Sequence, residues 1–187
     1  MIFKETTLKG AFTLDLERRT DDRGFFARAY CQKEFEAHGL TPPVAQANVG
    51  HSTRKGTVRG MHFQFPPSAE AKLVRATRGA VLDVIVDLRP ESPSYLRHLA
   101  VTLSANDHRA LYVPARFAHG YQTLEDGTEI FYQASAFYAP DAEGALSPLD
   151  PRLGVEWPLP ISSISKKDAE ARPLAEVEAE IRNRMSA

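Results

Sequence analysis

Short apolar segments rich in Val, Leu, Phe and Tyr follow one another along the chain, separated by breaks at thirteen prolines and eleven glycines. This spacing is typical of a fold with many strands. The segments predict strands at Val44–Val49, Thr57–Phe63, Ala71–Thr77, Ala80–Leu88, His98–Ser104, Ala110–Val113 and Glu129–Phe137. We therefore predict a mainly β fold, an antiparallel β-sandwich or jelly roll with short peripheral helices.

Two segments have a helical pattern instead. Gln32–His38 is short, whereas Pro173–Met185 carries Leu174, Val177 and Ile181 at helical spacing behind a proline suited to a first turn. No repeat or low-complexity linker interrupts the 187 residues, which fit one domain burying roughly two thirds of its unfolded surface. We predict a single domain over residues 1–187, with a C-terminal helical segment at about 173–185.

Charge and cysteine content narrow the class of protein. The formal net charge is -1 with both signs interspersed, which lacks the basic footprint of nucleic-acid or anionic-membrane binding. Cys31 is the only cysteine, so an internal disulfide and a cysteine-rich metal site are excluded. Met1–Gly10 lacks the apolar core of a signal peptide, and no apolar run reaches about eighteen residues. We expect a cytoplasmic protein without nucleic-acid or membrane partners.

Alternation along the predicted strand Ala80–Leu88 puts carboxylates among β-branched residues. Leu82, Val84 and Val86 share one face, and Asp83 and Asp87 share the other with Val81 and Ile85. A carboxylate inside a sheet must be paired or hydrogen-bonded. The expected partners are the cations of neighbouring segments, Arg59, Lys72 or Arg75.

The same alternation in Glu129–Tyr138 puts two phenols on one face. The residues sharing that face are Ile130, Tyr132, Ala134, Ala136 and Tyr138. The alanines leave room beside the phenols, which predicts a cavity wall with aromatic ends. The alternative is that both tyrosines pack with their hydroxyls at the rim, and alternation alone leaves both open.

Two of the six histidines lie inside apolar runs. These are His62, within Arg59–Phe65, and His119, within Tyr112–Tyr121, and buried imidazoles need partners. The other four, His38, His51, His98 and His108, have polar neighbours and are expected at the surface. Arg59 and His62 fall on opposite faces of a regular strand, but a bend at Gly60 would bring them together.

Polar chemistry is concentrated between Arg59 and Lys72. An arginine, a histidine, a glutamine at Gln64 and a lysine lie within fourteen residues of an otherwise apolar region. Cationic and proton-transferring groups converging in this way predict a pocket for an anionic substrate that carries a carbonyl group.

A family resemblance accompanies these patterns. The motifs that carry it occur in the order Asp21–Phe26, Gln46-Ala47-Asn48, Arg59–Gln64, Lys72-Leu73-Val74, Pro114–Gly120, Tyr132, Tyr138-Ala139-Pro140 and Trp157-Pro158. Together they resemble the dTDP-4-dehydrorhamnose 3,5-epimerase family of nucleotide-sugar epimerases, from about Phe3 to about Pro173. The resemblance implies a cupin-type jelly roll, a homodimer whose sites are partly completed by the partner chain, no metal and no dissociable cofactor.

The resemblance also implies catalytic roles. Epimerisation beside a carbonyl group needs a base on one face of the sugar, an acid on the other, and a group that stabilises the enolate. By resemblance His62 is the base, Asp168 orients it, and Tyr132 is the acid. Lys72 stabilises the negative charge that develops on the carbonyl oxygen.

Substrate-binding residues are carried over in the same way. Arg23, Arg59 and His119 resemble ligands of the diphosphate and sugar. Phe26 and Tyr138 resemble the pair that sandwiches the nucleobase, with Phe26 supplied by either subunit, and Gln46 and Asn48 resemble residues that hydrogen-bond nearby. Tyr138 has a competing role as a second acid, which ranks below stacking.

The chain departs from the family pattern at four positions. Arg28 stands where many members have glutamate, Gly50 where serine is common, Glu70 where glutamine is frequent, and Arg116 where glycine is frequent. Loss of the serine removes a possible phosphate donor, and an arginine replaces a glycine that could need a positive φ. The catalytic set is intact, whereas the substrate-selecting set has drifted.

Two alternatives stay open beside an epimerase of a nucleoside-diphosphate 4-keto-6-deoxyhexose. One is a metal-dependent cupin enzyme, against which Gln64 stands where a second histidine ligand would be expected. The other is a non-catalytic sugar-binding jelly roll, which would not need His62, Tyr132 and Asp168. The nucleobase, the sugar, and inversion at C3, C5 or both are left open.

Overall fold

The computed structural model describes residues 1–186, which form an antiparallel β-sandwich. Its strands are β1 (Ile2–Glu5), β2 (Phe12–Asp15), β3 (Arg19–Asp21), β4 (Gly24–Phe26), β5 (Gln46–Ser52), β6 (Thr57–Gln64), β7 (Lys72–Arg78), β8 (Ala80–Asp87), β9 (His98–Ser104), β10 (Ala110–Val113), β11 (Phe117–Thr123), β12 (Thr128–Ala134), β13 (Glu143–Ala145) and β14 (Ser163–Ile164). The α-helices are α1 (Gln32–Ala37), α2 (Lys166–Ala169) and α3 (Leu174–Arg184), and short 3-10 turns cover Pro140–Ala142 and Pro151–Leu153. The predicted mainly β fold with short peripheral helices is confirmed.

The strands form two large sheets and one hairpin. The first sheet has the order β1-β2-β10-β7-β12-β5, and the second has the order β13-β6-β11-β8-β9. Neighbouring strands are antiparallel except β14, which pairs in parallel with the start of β6. Strands β3 and β4 form a separate two-stranded hairpin.

Most strand predictions are confirmed with shifted ends. The segment predicted at Val44–Val49 is β5, which begins at Gln46 and continues to Ser52. Strand β12 ends at Ala134, so Tyr138 lies beyond it and the predicted shared face of Tyr132 and Tyr138 is wrong. The largest omission is β11, because its central Gly120 and polar residues weaken the strand signal.

The core follows from alternation along the strands. Val81 and Ile85 of β8 point between the sheets and pack with Val74, Leu111 and Ile130 of the first sheet. Val84 and Val86 point the other way, towards the C-terminal helix. The predicted two faces of this strand are thus confirmed, and Asp83 lies on the face between the sheets.

Both predicted helices cover outer faces of the sandwich. Leu174, Val177 and Ile181 of α3 are buried against the second sheet, as their spacing predicts. Pro173 occupies the position before the first helical residue. Phe35 of α1 is buried against the first sheet. Within residues 1–186, no helix combines the length and the apolar composition needed to cross a membrane.

Gly60 bends β6 in the way the sequence predicts. Its φ is +128°, a region that side-chain-bearing residues avoid, and the register with β11 shifts between His119 and Tyr121. The backbone of Gly120 lies against Gly60, where a β-carbon would not fit. The bend lets Arg59 and His62 line the same pocket.

Arg116 adopts the left-handed conformation anticipated at this departure from the family pattern. Its φ is +65°, which costs a non-glycine residue about 1–2 kcal/mol. The guanidinium donates to the carbonyl oxygen of Met185 at 2.6 Å and pairs with Glu91 at 2.5 Å. These contacts offset part of the backbone cost and tie the turn to the end of α3.

Candidate active site

A pocket of about 210 Å³ lies between the two sheets. The first sheet contributes Val49, Gly50, Lys72, Ile130 and Tyr132, and the second contributes Arg59, His62, His119, Gly120 and Tyr121. Five of the predicted site residues therefore meet in one pocket. His62 and Tyr132 reach it from opposite sheets.

His62 is paired with Asp168 at one side of this pocket. The imidazole Nε2 lies 2.7 Å from Oδ1 of Asp168, which is buried, while His62 stays half-exposed. Ser165 caps α2 by accepting a hydrogen bond from the Asp168 backbone N–H at 3.0 Å, and this fixes the carboxylate. The second carboxylate oxygen accepts from the backbone of Gly60 at 3.3 Å. With Asp168 accepting from Nε2, the other ring nitrogen is free to take a proton.

A second histidine–carboxylate pair corrects a prediction. Both oxygens of Asp83 lie 2.9 Å from Nε2 of His119, so its partner is neither Arg59, nor Lys72, nor Arg75. Asp83 faces Tyr121 across β8 and β11, and His119, two residues away on the same face, is its diagonal neighbour. The partner was missed because β11 was not predicted. Asp87 is held locally by Arg89, Ser92 and Ser94.

Lys72 lies beside Tyr132 on adjacent strands of the first sheet. Its ammonium is 5.8 Å from the centre of the Tyr132 ring and 3.1 Å from a carboxylate oxygen of Glu70. The side chains of Lys72 and Glu70 are 11% and 12% exposed, so this ion pair is only weakly screened. Burial first, and then the charge of Glu70, raise the pKa of Tyr132, which keeps its phenol protonated.

Replacing Glu70 with glutamine tests this electrostatic arrangement. The variant keeps the shape but removes the negative charge, so we expect the pKa of Tyr132 to fall, although burial keeps it above its ordinary value. If protonated Tyr132 is needed for activity, the alkaline limb of the rate profile moves to lower pH. The other charged or titratable groups that line the pocket are Lys72, Arg59, His62, His119 and Tyr121.

The measurement is the pH dependence of kcat in Glu70→Gln and in Glu125→Gln. Glu125 is exposed in the turn before β12, so its variant should keep the wild-type profile. An unmoved alkaline limb in Glu70→Gln would mean that Tyr132 does not set it.

Tyr138 lies outside this pocket, next to Gln46. Its backbone N–H donates to Oε1 of Gln46 at 3.0 Å, and its exposed phenol donates to Glu143 at 3.0 Å. Glu143 also accepts from Lys167 at 2.7 Å. Burial alone would raise the pKa of Glu143, but the hydrogen bonds from Lys167 and Tyr138 hold it below its usual value. Tyr138 is therefore an exposed aromatic residue outside the pocket.

Asn48 stands directly opposite Tyr132 across β5 and β12. Its amide nitrogen is buried and has no hydrogen-bond partner among residues 1–186. An unpaired buried donor opposite a pocket residue is costly without a ligand to accept from it.

Arg23 and Phe26 are not brought to the pocket of their own chain. They lie on the β3–β4 hairpin, where the side chain of Arg23 is 85% exposed and Phe26 is 75% exposed. Arg28 pairs with Glu34 at 2.8 Å beside a separate cavity of about 340 Å³ that Phe26 also lines.

Some residues around the site were not predicted from the sequence. Tyr121 lines the pocket, and alternation from His119 along β11 would have found it. Glu143 had no sequence signal, because a three-residue strand brings it beside Gln64 of β6. Among residues 1–186, no group of three or more His, Cys, Asp or Glu side chains is arranged to hold a metal ion.

Comparisons with known proteins agree with this geometry. The family model described as dTDP-4-dehydrorhamnose 3,5-epimerase matches residues 5–176. The dTDP-4-dehydrorhamnose 3,5-epimerase of Salmonella typhimurium is 39% identical over 173 residues, covering 91% of this chain and 94% of the relative.

Solved structures give the same result. The dTDP-4-dehydrorhamnose 3,5-epimerase from Elizabethkingia anophelis has a TM-score of 0.91 at 34% identity, covering 94% of this chain and 97% of the other. ChmJ, a 3'-monoepimerase from Streptomyces bikiniensis in complex with dTDP-quinovose, has a TM-score of 0.86 at 34% identity, covering 95% and 90%. The predicted cupin-type jelly roll is confirmed, and the chain belongs to the dTDP-4-dehydrorhamnose 3,5-epimerase family of isomerases.

Proposed function

We propose that this protein epimerises a dTDP-linked 4-keto-6-deoxyhexose at C3, C5 or both, in deoxysugar biosynthesis. One observation carries the proposal: a histidine oriented by a carboxylate and a protonated phenol reach one pocket from opposite sheets. A sugar between them has a base on one face and an acid on the other. We place the reaction in the cytoplasm, where the single cysteine stays reduced.

In the proposed mechanism, His62 removes the proton from a carbon next to the C4 carbonyl group. Asp168 holds the ring in one tautomer and stabilises the imidazolium that forms. The electron pair moves onto the carbonyl oxygen as an enolate. Tyr132 then donates its proton to the opposite face of the same carbon, which inverts the centre.

Lys72 stabilises the enolate. Its nearly buried ammonium lies beside Tyr132, where negative charge on the substrate oxygen develops in a weakly screened environment. Glu70 fixes the lysine side chain before substrate binds. The ammonium group is therefore already oriented in the folded protein, and no conformational entropy is lost in orienting it during the reaction.

The nucleotide part of the substrate extends beyond the pocket. A cavity of about 210 Å³ suits the sugar, while a whole nucleotide sugar needs more room. Arg59 and His119 receive the diphosphate, and Tyr138 with Gln46 and Asn48 borders the nucleobase. The match to both a 3,5-epimerase and a 3'-monoepimerase leaves one or two centres to be measured.

A homodimer completes this site in our proposal. Arg23 and Phe26 are exposed on a hairpin away from their own pocket, so they serve the pocket of a second copy. Sedimentation equilibrium should give twice the chain mass of 20.7 kDa. A monomer that is fully active would contradict this arrangement.

Solvent deuterium uptake tests the function. The purified protein is incubated in D₂O with dTDP-4-keto-6-deoxyglucose, and the sugar is followed by mass spectrometry and proton NMR against an enzyme-free control. Two deuterons in a sugar whose NMR spectrum shows the inverted configuration indicate epimerisation at C3 and C5, and one indicates a single centre. No uptake above the control, with this sugar or with analogues carrying other bases, would contradict the proposal.

A further inference from the structure

Gly50 and Tyr121 face each other across the pocket. Gly50 lies on β5 of the first sheet and Tyr121 on β11 of the second, and both line the cavity. A β-carbon on Gly50 would lie 3.2 Å from the Tyr121 hydroxyl oxygen and 3.3 Å from Cγ1 of Ile130. Gly50 has ordinary strand geometry opposite Ile130, so its backbone does not require glycine. Glycine is favoured at this position because the Tyr121 phenol occupies the space that a side chain would need.

The Tyr121 hydroxyl belongs to a group of hydrogen-bond donors. Arg59 lines the same pocket, and its Nε donates to the Ser52 hydroxyl at 3.3 Å. Nη2 of Arg59 donates to the backbone oxygen of His51 at 2.9 Å, which fixes the guanidinium against β5. Both oxygens of Asp83, the cross-strand neighbour of Tyr121, are engaged by His119. This part of the pocket therefore presents positive charge and donors, which suits an anion.

We propose that the Tyr121 hydroxyl is a substrate-binding group that donates a hydrogen bond to a diphosphate oxygen beside Arg59, and that Gly50 makes room for it. The hydroxyl lies where a side chain at position 50 would project. It therefore supplies, from the opposite sheet, the hydroxyl that a serine at position 50 would provide. Burial raises the pKa of Tyr121, so the phenol keeps its proton and can donate.

Binding of dTDP, measured by calorimetry, tests the inference directly. A hydrogen bond to a charged phosphate oxygen corresponds to roughly 10- to 100-fold in affinity, so Tyr121→Phe should bind dTDP that much more weakly. The matched control is Tyr112→Phe, another buried strand tyrosine, whose hydroxyl bonds only the backbone of Thr41. It should bind dTDP like the wild type even if its thermal stability falls.

Serine at position 50 gives the sharper test, because its effect should change sign. In the wild type, Gly50→Ser crowds the Tyr121 hydroxyl and weakens dTDP binding. In Tyr121→Phe the crowded oxygen is gone, so the same substitution should restore binding to within a few-fold of the wild type. Such reversal is a direct coupling between the two positions, which loss of fold stability alone does not produce.

The inference rests on the proposed function for the identity of its ligand, but different experimental outcomes would contradict the two. Wild-type binding of dTDP with equal binding by Tyr121→Phe would overturn the role of Tyr121 alone. Gly50→Ser acting in the same direction in both backgrounds would overturn the role of Gly50. Wild type that neither binds dTDP nor takes up deuterium would overturn this inference and the proposed function together.

Discussion

His62→Asn should lower the epimerisation rate by roughly 10²- to 10⁴-fold, the usual effect of losing a positioned base. Asparagine keeps a polar group near Asp168 but cannot accept a proton from carbon at neutral pH. The pair in question is the 2.7 Å contact between Nε2 of His62 and Oδ1 of Asp168. Deuterium uptake from D₂O and product formation should fall together, because no enolate forms.

Two controls distinguish the loss of the base from a loss of folded structure. His98→Asn removes a half-buried histidine that lies outside the pocket, and it should leave the rate unchanged. His62→Asn should still bind dTDP, since in the proposed mode of binding Arg59 and His119 receive the diphosphate. Deuterium uptake at the wild-type rate in His62→Asn would remove His62 from the role of base.

The fold was largely predictable because each strand carries a local signal. Val81 to Val86 alternate between two apolar environments, and both environments exist in the structure. Pro173 and the spacing of Leu174 and Ile181 predict α3 in the same way. Strand β11 was not predicted because Gly120 lies at its centre. The close approach of Gly60 leaves no room for a side chain there. That requirement comes from the neighbouring strand and has no counterpart in local sequence.

The residues that lie in family motifs were predictable from the sequence. The side-chain partners that depend on how strands pair were harder to predict. Lys72, His62 and Tyr132 meet in one pocket as the resemblance implies. The predicted partner of Asp83 was wrong because its actual partner, His119, depends on the register of β8 with β11. The ion pair of Glu70 with Lys72 depends on how both side chains are buried, which sequence spacing does not specify.

The two sheets of the sandwich hold His62 and Tyr132 on opposite sides of one pocket, as the proposed inversion requires. His62 belongs to β6 of the second sheet and Tyr132 to β12 of the first. Groups on one strand would approach a sugar from one face only, whereas facing sheets approach it from both. In the proposed mechanism the base and the acid thus lie on different sheets, so their individual roles can be measured separately.

Tyr132→Phe should lower formation of the inverted product by roughly 10²- to 10⁴-fold while reducing deuterium exchange much less. His62 still removes the proton in this variant, and its imidazolium exchanges with D₂O. It can then return a deuteron to the face from which the proton came. The substrate becomes labelled without inversion, so the ratio of exchange to epimerisation rises above the wild-type value.

Tyr138→Phe is the matched comparison, since it removes the phenol that competes for the role of acid. Its hydroxyl donates to Glu143 and lies outside the pocket, so exchange and inversion should keep their wild-type ratio in this variant. A raised ratio in Tyr138→Phe but not in Tyr132→Phe would transfer the role to Tyr138. An equal loss of exchange and inversion in Tyr132→Phe would mean that this phenol assists enolate formation rather than protonating the opposite face. The burial of Tyr132 beside Lys72 and Glu70 favours a raised ratio of exchange to inversion in Tyr132→Phe, because it keeps the phenol protonated until the enolate forms.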